Sequence, residues 1–468
     1  MIFSSPVFLL CFLPVVVLLY YLPLRRCRSG QNILLLVFSL LFYAWGEKWF
    51  VLVMMASIVL NWLLGLWVDR RKGAGRSLRL PVTAAVIVNL ALLFVFKYLT
   101  FVLTNLNLLG FHFMVPVIEL PIGISFFTFQ ALSYVLDVAR GRGEAQRSLL
   151  HVGLYISFFP QLIAGPIVRY ETVSREILHR RENWEDFSSG AARFVVGLSK
   201  KVLLANQLAL AADRIMGADP ACLSMATAWL GAIAFTLQIY FDFSGYSDMA
   251  IGMGRMFGFH FLENFDYPYL ARSAAEFWRR WHISLGSWFR EYLYVPLGGS
   301  RCGRGRHIFN LFVVWLATGI WHGASWNFLI WGLLYFVFIV AEKLWLDKLF
   351  RRLPRWVSHL YTMVLVIVGW TIFAIEDLPT LGRYLSAMVG GGNGLWSPQS
   401  LYYLTEHAVV LLAGVIFSLP VARRLSEKAR GWGIVGEAGR ALLTLLALTA
   451  VTVLMARGSY NPFIYFNF

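Results

Sequence analysis

Apolar residues in this chain come in long runs, and polar residues crowd into short gaps between them. Runs near 6–24, 31–45, 49–68, 81–103, 121–138, 149–167, 225–260, 308–341, 357–375, 403–420 and 438–456 approach or exceed the roughly 20 apolar residues of a spanning helix. A backbone in lipid must satisfy its own N–H and C=O groups, and segments of this length do so as helices. The pattern therefore predicts an all-α, polytopic integral membrane protein, read as one domain over 1–468.

Two runs do not fit a straight crossing. The first, 308–341, contains no Asp, Glu, Lys or Arg. As one helix it would be about 50 Å long, against a hydrocarbon core of about 30 Å. Gly319 and Gly323 flank His322 inside it, so a break is expected there. Irregular backbone at that depth is tolerated only where protein or a water-filled cavity surrounds it. A titratable imidazole is costly in such a run, which makes His322 a functional candidate. The second run, 149–167, carries the breakers Phe159-Pro160-Gln161 and Gly165-Pro166 and is followed by a basic segment, Arg169 to Arg181. It is expected to re-enter or to form a buried half-helix.

Two further stretches concentrate polar groups. Ser273 followed by Glu276 makes a capping box, which predicts a helix start. Ala274, Trp278, Trp281, Leu285 and Trp288 then form one apolar stripe, with Glu276, Arg279, Arg280 and Arg290 off it. This predicts a single amphipathic helix, too charged to span lipid, with His282 on it. Pro296-Leu297-Gly298-Gly299 reads as a turn. In Gln238 to Asp248, the carboxylates Asp242 and Asp248 are roughly 240° apart on a helix. They are expected to pair structurally with arginine or backbone amides, not to act as a dyad.

Composition agrees with the membrane assignment. Of 468 residues, 59% are hydrophobic and 14% charged, and the mean hydropathy of +0.65 excludes an ordinary soluble globule. The net charge of +16 is spread over short basic clusters between apolar runs, which fits cytoplasmic loops and anionic headgroups and argues against a nucleic-acid partner. Such a face also attracts an anionic, phosphate-bearing substrate. The alternation of basic gaps places both the N-terminus and the C-terminus outside the cytoplasm. The start carries no basic segment of a cleaved signal, so 6–24 reads as a retained helix. Cys11, Cys27, Cys222 and Cys302 are scattered, with neither metal spacing nor a disulfide framework. No nucleotide-binding glycine loop and no internal repeat is present.

These residues together resemble the membrane-bound O-acyltransferase (MBOAT) family, and within it the bacterial alginate O-acetyltransferase subgroup. The likeness rests on Pro121 to Gln130, Phe159 to Ile167, Phe241 to Asp248, Glu276 to Trp288, Trp321-His322-Gly323 and the tail Pro462 to Phe466. It implies that His322 is the catalytic histidine and His282 the second polar residue of the site. Arg279, Arg280, Trp281, Trp321, Asp242 and Ser244 are the candidate substrate contacts. The resemblance further implies acetyl-CoA as donor substrate, no bound cofactor or metal, and an exported polysaccharide such as alginate or cellulose as eventual acceptor. It implies a partner periplasmic acetyltransferase with a Ser-His-Asp site, polysaccharide synthesis and export machinery, and an inner-membrane location.

The chemistry expected is transfer of acetyl from a thioester to a hydroxyl. A neutral imidazole near pH 7 suits His322 to deprotonate the acceptor. His282, with Arg279 and Arg280 beside it, is expected to steady the thioester oxyanion or the CoA phosphates. A transporter or flippase, a D-alanyl transferase of the same fold, and a scaffold subunit are the alternatives. The absence of a repeat across the two halves counts against the transporter.

Overall fold

The computed structural model describes residues 1–458 and 462, and among these it contains helices and no strand. Of the tail motif, residues 463–466 lie outside the described residues. Eight helices among those described are long and apolar enough to cross a membrane: Arg28–Glu47, Phe50–Gly73, Arg79–Leu108, Trp184–Met216, Trp326–Phe350, Arg355–Ala374, Pro398–Phe417 and Ile434–Ala456. The chain divides into two compact units, one of residues 1–194 with 247–262 and one of residues 195–246 with 263–468.

In the first unit, the predicted interruption of 149–167 is present. Leu149–Ser157 ends at Phe158, whose ψ of 114° leaves the helical region, and Phe159–Leu162 follows. This segment is buried along almost its whole length. The unwinding frees the Tyr155 carbonyl, which accepts from Gln130 Nε2 at 2.6 Å and Gln161 Nε2 at 2.8 Å. Two glutamines thus replace the missing helical donor, as a buried carbonyl requires. The same two glutamines belong to two of the family-like motifs, Pro121 to Gln130 and Phe159 to Ile167.

The Trp184–Met216 span was not among the runs expected to cross. Its charges hide it from a hydropathy reading, and packing neutralises two of them. Within the first unit, Arg193 Nε and Nη2 both reach Asp248 Oδ1, at 3.0 and 2.8 Å. Within the second, Lys201 Nζ lies 2.6 Å from Asp242 Oδ1, both side chains 2% exposed. Lys201 also donates to the Pro462 carbonyl. The structural pairing expected of the two carboxylates is therefore observed, with lysine serving one of them.

The second unit is organised around a helix hairpin. Arg304–His322 and Trp326–Ala341 pack closely because two glycines remove side chains at the crossing. A Cβ on Gly319 would lie 2.5 Å from the Phe328 carbonyl oxygen, and one on Gly332 would lie 2.6 Å from that of Trp315. The run 308–341 is thus two helices that turn at residues 323–325, as the glycines predicted. Beyond Arg355–Ala374 a short helix follows, Leu378–Met388, whose Asp377 cap accepts from the Thr380 amide at 2.9 Å.

The expectation of one continuous amphipathic helix after Ser273 is corrected. The helix starts where predicted, with Ser273 accepting from Glu276 N at 3.0 Å, but Glu276 Oε2 accepts from Arg272 N at 2.9 Å, one residue before the amide a capping box would use. The helix stops at Arg280, and a second runs Ile283–Phe289. His282 is the joint between them, in the left-handed region at φ 45° and ψ 53°. A periodic stripe cannot reveal this, because the second helix restores nearly the same face. A non-glycine residue in this region costs roughly 1–2 kcal/mol, so surrounding contacts must impose it.

Candidate active site

His322 is the last residue of Arg304–His322, and its side chain is 5% exposed. Three rings meet it edge-on: Trp331 at 4.9 Å, Trp321 at 5.0 Å and Phe373 at 5.2 Å between centroids. The chain then leaves the helix at Gly323, where a Cβ would collide with the Phe328 ring. The hairpin turn therefore holds the imidazole inside an aromatic frame. The aromatic wall continues through Trp370, 5.4 Å from Phe373 and 4.7 Å from Trp281.

His282 is 2% exposed and lies edge-on to Phe243 at 4.6 Å and an interplanar angle of 90°. Asn264 imposes its unusual backbone. The Asn264 carbonyl accepts from Ile283 N at 3.0 Å, and its Oδ1 accepts from Ser284 N at 3.1 Å and Ser284 Oγ at 2.9 Å. His282 Nδ1 faces the same Oδ1 at 3.2 Å. Burial pushes the His282 imidazole down to about 3, so the ring is neutral near pH 7.

The two histidines, 40 positions apart in the sequence, share one neighbour. Trp321 is 6.1 Å from His282 and 5.0 Å from His322. Of the other candidates, Trp281 joins the aromatic wall. Ser244 is 1% exposed on Met225–Met256, and its Oγ has no hydrogen-bond partner among the described residues. Asp242 is held by Lys201. Arg280 is engaged by Glu276 at 3.0 Å and Asp266 at 3.1 Å. Arg279 is exposed. No cluster of metal-ligating side chains occurs among the described residues. Asn264, Trp331 and Phe373 were missed. Asn264 is an isolated amide in a loop, and only its spatial neighbours give it meaning.

Two buried imidazoles thus meet at one tryptophan in an all-helical protein with membrane-spanning helices. The chain belongs to the membrane-bound O-acyltransferase family, whose profile it matches over residues 37–375. It is 40% identical to a probable alginate O-acetylase AlgI of Pseudomonas putida, with both chains covered in full. It is 34% identical to a peptidoglycan O-acetyltransferase of Helicobacter pylori, over 87% of this chain and 82% of that one. A teichoic acid D-alanyltransferase of Bacillus subtilis is 27% identical over 53% of this chain and 65% of its own. The protein is a multi-pass membrane O-acyltransferase.

Proposed function

We propose that this enzyme takes acetyl from acetyl-CoA at the cytoplasmic face of the bacterial inner membrane and passes it across the bilayer for O-acetylation of an exported polysaccharide. Both termini then lie outside the cytoplasm. An alginate-like polymer fits best, because the likeness to alginate O-acetylases extends over the whole chain. The immediate recipient is a hydroxyl, supplied directly or through a periplasmic acetyltransferase of the Ser-His-Asp type that works with the polysaccharide export machinery.

The observation that carries this reading is His322, buried at the turn of the hairpin with His282 one tryptophan away. In the proposed step His322 accepts the proton of the acceptor hydroxyl. The oxygen attacks the thioester carbonyl, the C–O bond forms and the C–S bond breaks. The departing CoA thiolate takes the proton back from His322. A thioester is already activated, so the protein's work is orientation and proton transfer. In this reading Arg279, exposed on the Ala274–Arg280 helix, meets a CoA phosphate.

The test uses oriented vesicles of the purified protein. Labelled acetyl-CoA enclosed with the basic face should label an acceptor confined to the opposite side. Labelling only when both reagents share a compartment removes trans-membrane delivery, and no labelling in any arrangement removes acetyl transfer.

A further inference from the structure

Asn264 does more than shape a loop. It is wholly buried, and the Ser284 backbone N–H at 3.1 Å from its Oδ1 is an obligate donor. That contact identifies the atom as the amide oxygen, since the amide nitrogen has no lone pair to offer a donor. Ser284 Oγ donates to the same oxygen at 2.9 Å. His282 Nδ1, at 3.2 Å, therefore faces an atom that only accepts, and its other polar neighbour, Ser284 Oγ at 3.4 Å, directs its own proton along the shorter contact to Asn264. The proton of the neutral ring must be on Nδ1, and the lone pair must be on Nε2.

We infer that Asn264 is a positioning residue for acyl transfer: it locks His282 as the Nδ1–H tautomer, so that His282 meets the reacting groups as a hydrogen-bond acceptor at Nε2. This rests on the acyltransferase reading of the site and changes one part of it. An oxyanion needs a donor, and a neutral ring whose single proton is given to Asn264 has none to offer at Nε2. The role expected of His282 toward the thioester oxyanion is thereby replaced. His282 orients an O–H or N–H of the reacting groups. The left-handed backbone at residue 282 belongs to the same device, because Asn264 holds the amides of Ile283 and Ser284 together with the ring.

The test compares wild type, Asn264→Leu, Asn264→Asp, His282→Ala and the double variant His282→Ala/Asn264→Leu, in lipid, by acetyl-CoA turnover against pH. Asn264→Leu should lower kcat about tenfold or more, the loss seen when a partner that orients a histidine is removed, with KM for acetyl-CoA little changed. On the His282→Ala background it should cost nothing further, because the two residues act as one unit. Asn264→Asp keeps an acceptor but adds a negative charge, which favours the imidazolium. Its activity should therefore fail at a higher pH on acidification than that of wild type. Additive losses, or an unmoved acid limb in Asn264→Asp, overturn the inference. A measurement on wild type alone guards against variants that fail to fold. In ¹⁵N-histidine-labelled protein the His282 signals, assigned by their loss in His282→Ala, should show the proton on Nδ1. A proton on Nε2 overturns the inference even if the enzyme is active. Wild type that turns over no acetyl-CoA sinks the acetyltransferase reading instead, and the labelled spectrum still decides the tautomer.

Discussion

The Met225–Met256 helix buries two adjacent residues that serve different ends. Asp242 turns to Lys201 at 2.6 Å, a charge met by an opposite charge. Phe243, one position on, lies against His282 at 4.6 Å, an imidazole framed by an aromatic ring and an amide. Both places are polar and almost sealed from solvent. In the first, desolvation is offset by a counter-charge, which leaves little chemistry available. In the second, burial among aromatic rings and an amide keeps the histidine neutral and able to accept a proton or a hydrogen bond. Buried polarity in this protein is thus of two kinds, and the partner tells them apart.

Breaking each region should separate these kinds. The largest effect on activity is expected from His322→Ala, with acetyl transfer down roughly 10²–10⁴-fold while the protein accumulates in the membrane as wild type does. Near wild-type turnover by this variant would remove His322 from the chemistry. Lys201→Ala or Asp242→Ala should instead act on folding, by about 3–5 kcal/mol, since each strands a buried charge. The apolar double variant Lys201→Met/Asp242→Leu should recover much of that loss in a thermal-melt assay. Equal melting of the single and double variants would contradict a purely structural pair.

His282→Ala should lie between these extremes, slower by about ten- to a hundredfold and less damaged than His322→Ala. The pH dependence of stability sharpens the same point. The folded His282 titrates at about 3, below its ordinary 6.5. Between these two values the unfolded chain binds the proton and the folded chain does not. The contribution of the neutral ring is therefore fully present above about pH 6.5, and the folded state loses stability as pH falls toward 3. Wild type should lose melting temperature on acidification more steeply than His282→Gln, and parallel curves would argue against a buried neutral ring. The smallest effect is expected at the rim. Arg279→Ala should raise KM for acetyl-CoA by about two- to fivefold, with the difference fading in high salt as the exposed charge is screened.

His322 was legible because an imidazole is costly in a charge-free apolar run, and the glycines beside it marked the turn. Long apolar runs likewise marked most of the spanning helices, and breakers marked the interruption at Phe158. The Trp184–Met216 span escaped notice because Arg193 and Lys201 lower its hydropathy. Hydropathy counts a charge at full cost and has no knowledge of Asp248 and Asp242, which neutralise these two. The stripe through Trp278, Trp281 and Leu285 was read as one helix for a related reason. Periodicity records which face a residue lies on, not whether the backbone between two such residues stays helical.

Local pattern in the sequence determined the helical class, the membrane setting, the cap at Ser273 and the turn at His322, because each depends on residues within a few turns of one another. Tertiary structure alone decided which polar groups meet. It placed Lys201 on Asp242 across 41 positions, brought His282 and His322 together around Trp321, and set the Asn264 oxygen against His282 Nδ1. The physical reason is that hydrogen bonds and ion pairs act over about 3–4 Å and depend on direction. The function of a buried polar group is therefore set by the atom it faces, and no spacing along the chain encodes that atom.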